Sequence, residues 1–536
     1  MGYFMADTTF IDKTTVIATS WLQNINDHVF KAGTTAKHYA KDISWTQAGA
    51  SAVARTVESK LYEIISLKDF GAVGDGVVDD TVAIQSWLNA ITTGQRGHAP
   101  AGTYKFTNTL NAPLLTNIAI TGDGPYQTVF CYSGTSTTKD LFVIGNGIAN
   151  MSFWYLENFR ITSATTMTAG SGFHFKRLDS SVIRDVIADG LGGYFGSRNL
   201  WNGYYFDGAH IVYMSGFNTS TQHDGIVIVG RAVGNEEYNC NLYLNQGCSD
   251  YCGGAGIRSA GDFGGLFVDQ CEFMGNVNNI VVDNSLSTAP NYQILLGSNV
   301  ISDGLQMPTA SYGILIDDSL SNQSSPLHIS INGFIGSSYL ATIYVKSCKN
   351  GVVSIGANRI FNSKGDGILV DDATTIVQIG SQTIIDNNAG WGIRSTVPTT
   401  NISFDGKAFA NTLGDFSPNS KVGVWTTYTP TISSTSGNIT TSSATGSYSI
   451  MGKTVSLRVS ITITANGTGA SAVEVTLPTI SKNTTVGVGR ANTVSGKILQ
   501  AIAFAGNASM NIVNYDNTYP AVSGESIEIS IVYESN

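Results

Sequence analysis

The sequence predicts an all-β chain built mainly as a parallel β-helix, a solenoid of short strands, and three observations predict it. A strand-opening phrase recurs at Gly256-Ile257, Asn279-Ile280, Gly313-Ile314, Thr342-Ile343, Gly367-Ile368 and Gly392-Ile393. Subtracting successive isoleucine numbers gives steps of 23, 34, 29, 25 and 25 residues, the length of one coil with occasional loop insertions. Composition agrees, because 59 glycines with only 13% charged residues suit many strands and tight turns better than helical bundles. The strands also alternate. In Gly367-Ile368-Leu369-Val370-Asp371-Asp372, Ile368 and Val370 should point inward, Leu369 and Asp371 outward.

Taken in chain order, residues 1–66 read as a short helical segment. Thr15 to Phe30 predicts a capped amphipathic helix with Trp21, Leu22, Ile25 and Val29 on one face. A second helix is expected from about Ala50 to Ile65, with a narrow stripe of Val53, Val57, Leu61 and Ile64 suited to a self-associating neck.

The run Leu67-Lys68-Asp69-Phe70-Gly71-Ala72-Val73-Gly74-Asp75-Gly76-Val77-Val78-Asp79-Asp80-Thr81 follows. It predicts a short apolar strand, glycine turns, and an N-cap from Asp79, Asp80 or Thr81. The capped helix should bury Val82, Ile84, Trp87, Leu88 and Ile91. Pro100-Ala101-Gly102-Thr103-Tyr104 then turns into a strand. Asp75, Asp79 and Asp80 are expected to serve turns and caps rather than a metal. Asp317/Asp318 and Asp371/Asp372, which recur at one point of the coil, are read the same way.

The stretch from Leu67 to Tyr104 resembles the opening of pectate-lyase-like right-handed β-helices, especially phage tailspike depolymerases. That resemblance implies a right-handed parallel β-helix over 67–420, preceded by an N-terminal virion-attachment segment with a neck helix over 1–66. After Trp425 the composition shifts to Thr, Ser, Val and Ile. Ser447–Ile450, Thr454–Ile463 and Ile527–Tyr533 are period-2 strands, so a C-terminal antiparallel β-sandwich is expected over 421–536. By resemblance it would be a trimerisation module.

Charge and cysteine usage exclude some functions. With 29 basic against 39 acidic residues, the net charge of −10 disfavours a nucleic-acid partner. There is no apolar run of about 18 residues to cross a membrane and no signal-peptide pattern at Met1–Asp7. Cys131, Cys240, Cys248, Cys252, Cys271 and Cys348 are read as reduced, mostly buried thiols. Cys248 and Cys252 lack a matching second pair, so neither a metal nor any cofactor is expected.

The chemistry is expected within 190–275, where aromatics crowd, among them Trp201, Tyr204, Tyr213, Tyr238 and Tyr243. Aromatic faces stack on the apolar faces of sugars. Trp201, Tyr204, Tyr238 and Arg258 are the candidates for substrate binding. Glycoside hydrolysis needs two carboxylates flanking the scissile bond. In Leu266-Phe267-Val268-Asp269-Gln270-Cys271-Glu272-Phe273, a turn at Gln270-Cys271 would bring Asp269 and Glu272 to one outer patch. Glu236 lies 269 − 236 = 33 residues before Asp269, about one coil plus a loop. This spacing resembles the catalytic carboxylates of O-antigen-cleaving tailspikes, which implies Glu236, Asp269 and Glu272 as the acid/base set, with Glu237 a substitute for Glu236. A lyase would instead want a base such as His210, His223 or Tyr238 near Arg231 or Arg258. His223-Asp224-Gly225 is the nearest fragment of a pectin-hydrolase pattern and lacks its context.

The resemblance implies a homotrimeric tailspike on the virion, held to a baseplate or tail adaptor through its N-terminus. It would bind and cleave lipopolysaccharide O-antigen or capsule at the bacterial surface. A polysaccharide lyase and a non-cleaving adhesin are the alternatives on the same fold.

Overall fold

The computed structural model describes residues 39–190, 197–230, 241–261, 264–283, 293–302, 312–319, 327–336, 340–348, 351–399, 401–420, 425–451 and 453–536. The chain divides into two compact units, Met1–Ile65 and Ser66–Asn536. In the first, Ser44–Trp45 pairs antiparallel with Arg55–Thr56, and a helix covers only Val57–Leu61. The longer neck helix expected from Ala50 is therefore corrected. Arg55–Thr56 is extended in the strand pair, and the Thr56 hydroxyl caps the helix by accepting the Ser59 N–H, so the helix starts only at Val57. The helix expected over Thr15–Phe30 lies outside the described residues.

In the second unit, Leu67–Phe70 forms a 3₁₀ turn rather than a strand, capped by the Ser66 hydroxyl and closed by Gly71 at φ 86°. Three aspartates then order the turns. Asp75 Oδ1 accepts the Val77 and Val78 N–H groups, and the Asp80 carboxylate accepts those of Val73 and Gly74. Asp79 Oδ1 accepts the Thr81 N–H at the start of helix Thr81–Ala90. These bonds hold the Asp75 carboxyl below its ordinary range. Asp79 also lies below it, burial being outweighed by bonds from Thr81 and Thr107. Ile84, Trp87, Leu88 and Ile91 are buried as expected. Val82 is 78% exposed, a correction: Ile84, Trp87, Leu88 and Ile91 follow i, i+3, i+4, i+7, and a residue two before that series falls on the opposite face.

From Arg96 to Phe416 the strands pair in parallel, coil upon coil. Three sheets result. One coil shows them in order: Val212–Ser215 in the first sheet, Asn218–Ser220 in the second, Ile226–Val229 in the third. The repeated isoleucines fall in one register of the third sheet: Ile226, Ile257, Ile280, Ile314, Ile343, Ile368 and Ile393. All seven are fully buried, and they form an aliphatic column along the helix axis. Ile368 and Val370 point inward beside outward Leu369, as the alternation requires.

The corner between the first and second sheets repeats one device. Asn158, Asp185, Gly216, Gln246 and Gln270 occupy it in successive coils, all in the left-handed region. A single residue there turns the chain sharply enough to start a new face. Asp317 and Asp372 end third-sheet strands by accepting the N–H groups of Ser319 and Thr374, as turn residues do. Among the described cysteines all five are free thiols, four of them buried.

The C-terminal residues form one nine-stranded antiparallel sheet. Thr454–Ala465 is flanked by Thr441–Met451 and Glu525–Glu534. The sheet curls, so that Val459, Ile461, Val473, Leu499, Ile512 and Ile529 from distant strands share one core.

Candidate functional site

Outward side chains of parallel strands stack directly above one another, so each register position draws a line along the solenoid. On the first sheet one such line runs Tyr155, Val182, Tyr213, Tyr243, Phe267, Leu295. Tyr213 and Tyr243 stack at 4.6 Å between ring centroids, and Tyr243 and Phe267 at 4.7 Å. Tyr155 and Tyr213 are nearly half exposed. The line then changes character to Ser330, Ser354, Gln378 and Ser403. An aromatic ladder thus occupies one end of this face and polar side chains the other.

One pleat on from Phe267 lies Asp269. Its Oδ1 accepts the Ser298 N–H at 2.7 Å, tying it to the next coil. Gln270, at φ 54°, makes the corner, and Cys271 turns into the core, where burial pushes its thiol up to about 12. Glu272 opens the second-sheet strand and is exposed. Burial raises the Tyr251 phenol, with a further push from Asp250 and Glu272. Asp269 and Glu272 accordingly flank one corner. Glu236, Glu237 and Tyr238 lie outside the described residues.

The other predicted binding residues are elsewhere. Tyr204 is fully buried, its hydroxyl donating to the Val186 carbonyl at 2.6 Å and its ring stacked on Phe173. It is a core residue, which corrects the expectation of sugar contact. Trp201 and Arg258 belong to the third sheet and its approach, not to the corner of Asp269 and Glu272.

Trp201 and Arg258 do meet in one cluster, through His223, named above as a candidate lyase base, and its neighbour Asp224. The Trp201 ring stacks on His223 at 4.6 Å, nearly parallel. His223 Nδ1 sits 3.0 Å from Asp224 Oδ2 and is sealed from solvent, although the ring side chain is 40% exposed. Asp224 is 2% exposed and accepts Arg258 Nε at 2.7 Å and the Ala255 N–H at 2.6 Å. Arg258 Nη1 continues to Asp283 at 2.8 Å. Burial pushes the Asp224 carboxyl up, but the adjacent His223 ring and the bonds from Arg258 and the Ala255 N–H outweigh it and leave it below its ordinary range. The arrangement stacks the His223 ring on an indole, with its Nδ1 edge near the Asp224 carboxylate but outside hydrogen-bond geometry. Among the described residues no set of three His, Cys, Asp or Glu side chains is placed to hold a metal. The signal for this cluster was coil spacing: Asp224 and Arg258 are 34 residues apart, the same length as one of the isoleucine steps.

The profile of the family described as rhamnogalacturonase A/epimerase, pectate lyase-like, matches residues 64–176. The tail spike protein of an Escherichia phage is 41% identical over 59 residues, which is 11% of this chain and only 7% of that relative's length. The A-module of the Azotobacter vinelandii mannuronan C-5 epimerase AlgE4 superposes with a TM-score of 0.50 at 17% identity, covering 66% of this chain and 97% of that one. The Dettilon tailspike protein gp208 gives a TM-score of 0.44 at 15% identity, covering 96% and 100%. The chain thus folds as a parallel β-helix, its residues 64–176 match the pectate lyase-like family, and a 59-residue stretch is similar to a phage tail spike protein.

Proposed function

We propose that this chain is a phage tailspike that binds a bacterial surface polysaccharide, O-antigen or capsule, and depolymerises it by endoglycosidic hydrolysis. The observation that supports the reading best is the stacked ladder Tyr213, Tyr243, Phe267, which ends one pleat from Asp269. An extended glycan laid along the first sheet would run across the outer edges of successive rings. Its chain would then pass the corner of Asp269 and Glu272. In this proposal one carboxyl of the set Glu236, Asp269 and Glu272 protonates the glycosidic oxygen as the bond to the anomeric carbon breaks. A second, ionised, carboxylate activates the water or attacks that carbon. The spike would act as a homotrimer on the phage tail, attached through residues 1–66, and three grooves on one spike would add avidity for a repeating polymer.

The test is a comparison of Asp269→Asn and Glu272→Gln with the parent chain on a polysaccharide it cleaves. The proposal expects a loss of chain cleavage of about a hundredfold or more with glycan binding retained. Full activity in the double variant would remove both residues from the mechanism.

A polysaccharide lyase is the second reading, and the Trp201–His223–Asp224–Arg258 cluster favours it. A histidine stacked on an indole, with a guanidinium in the same cluster, supplies a base and a charge neutraliser. His223→Gln abolishing cleavage, with an unsaturated product from the parent chain, selects that reading.

A further inference from the structure

We propose that Phe153 and Ile211 are specificity residues, walls of a notch that selects a sugar with a methyl group where others carry a hydroxymethyl, a 6-deoxyhexose. The inference rests on the glycan face proposed above. Three successive coils build the notch at the corner between the third and first sheets. Phe153 and Tyr155 come from one, Ser180 and Val182 from the next, Ile211 and Tyr213 from the third. Tyr155 pairs with Val182, Val182 with Tyr213 and Ser181 with Val212, so the six fall in two register columns. Neighbouring strands lie about 4.8 Å apart, so the two apolar walls stand about 10 Å apart across a floor of smaller side chains. Phe153 is 54% and Ile211 37% exposed. The three coils are tied beside the notch: Asp179 accepts Ser152 Oγ at 2.7 Å from the coil before and lies 2.5 Å from His210 Nδ1 in the coil after.

Two observations point to a ligand. The first is backbone strain. Asn117, Phe153, Ser180 and Ile211 hold this corner in successive coils, all in the left-handed region, at φ 57°, 60°, 45° and 52°. Asn tolerates that region, whereas Phe and the β-branched Ile crowd their own backbone there. Asn117 shows that the corner itself needs no apolar side chain. Phe153 and Ile211 stand largely outside the core, so packing does not repay the strain. Strain that is held without a return in packing belongs to positions that serve a ligand. The second observation is what the ladder leaves open. Tyr213, Tyr243 and Phe267 stack face on face, so outward they present ring edges. The broad apolar surfaces beside those edges are Phe153, Ile211 and Val182. A methyl group lodges against them. A hydroxymethyl group in the same place gives up water and gains no partner. Val182 lies three coils, about 14 Å, before Phe267, so the notch reads a sugar away from the carboxylates.

The experiment titrates methyl α-L-fucoside and methyl α-L-galactoside, which differ only in the hydroxyl on C6, separately into the full chain by saturation-transfer NMR. The fucoside should bind about fivefold or more tightly. Ile211→Asn and Phe153→Asn, which copy Asn117, should each erase the preference while the melting temperature holds or rises, because the strain is relieved. Residues that only held the fold would lower the melting temperature instead. The glycan face is read separately, by the effect of Tyr243→Ala on polysaccharide binding, so its failure is told apart from a failure of the notch. Equal binding of the two glycosides, no binding, or a preference that survives in either folded variant overturns the proposal. So does a lowered melting temperature in both variants.

Discussion

Glu525 makes the sharpest stability prediction. It begins the last strand of the C-terminal sheet and has no accessible surface. Oε1 accepts the N–H groups of Thr493 at 2.9 Å and Val494 at 3.1 Å, and Oε2 accepts that of Ser495 at 2.8 Å. Burial pushes the carboxyl up, but these N–H groups win and bring it from 4.5 down to about 2. The gap, 4.5 − 2 = 2.5 pH units, corresponds to about 3.4 kcal/mol at 1.36 kcal/mol per unit. The loop it caps is open to water on its far side, Val494 being 58% exposed, so screening reduces the contribution to about 2 kcal/mol. The folded-state value lies below the unfolded one. This stability is therefore present above pH 4.5 and is lost as pH falls toward 2, with about 60% gone by pH 3. Glu525→Gln keeps the shape but turns one acceptor into an NH₂ that faces the Ser495 N–H. Urea unfolding, followed by hydrogen exchange in the C-terminal strands, should place the variant about 2 kcal/mol below the parent at pH 7. The difference should narrow at pH 3. A difference that is absent at pH 7, or equal at both pH values, refutes the reasoning.

Other expectations follow from the solenoid. Ile343→Ala, in the middle of the buried isoleucine column, should cost about 2–5 kcal/mol in urea unfolding, and a cost under about 1 kcal/mol would mean the column is not close-packed. Arg160 Nε and Asp189 Oδ1 form a buried pair at 2.5 Å. Asp189→Ala should destabilise the helix by about 3–5 kcal/mol, because the guanidinium is left without its carboxylate. The double variant Arg160→Met/Asp189→Leu should be less damaging than Asp189→Ala, and the reverse order would contradict the ion-pair account. Tyr243→Ala, in the centre of the aromatic ladder, should weaken binding of the cleaved polysaccharide by about 2–13-fold, the equivalent of about 0.5–1.5 kcal/mol per ring, with little change in melting temperature. Undiminished binding would place the glycan on another face.

Much of the fold was legible because its unit repeats. Six Xaa-Ile openings fix a coil length, and the structure puts all six isoleucines in one register. The aspartates around Asp75–Asp80 were legible for a different reason: short side chains beside glycine turns bond their own neighbourhood. The site was less legible. In Tyr204-Tyr205-Phe206 three aromatics run consecutively, and alternation alone does not reveal which parity faces the core. The structure buries Tyr204 and Phe206 and turns Tyr205 outward. His223-Asp224 looked like a fragment because Trp201 and Arg258, its neighbours in space, are a coil away in sequence on either side. Such contacts become readable only once the coil length is applied to polar residues as well as to isoleucines.

The most direct test of the account is to incubate the purified chain with lipopolysaccharides and capsules from a panel of Gram-negative bacteria. Reducing ends and the ultraviolet absorbance of unsaturated sugars are read together. The account predicts new reducing ends on a bound polysaccharide without absorbance, lost when Asp269 and Glu272 are replaced by their amides. Absorbance rising with the reducing ends contradicts hydrolysis and moves the chemistry to the His223 cluster. Tight binding to a polysaccharide that stays intact contradicts cleavage itself and leaves an adhesin.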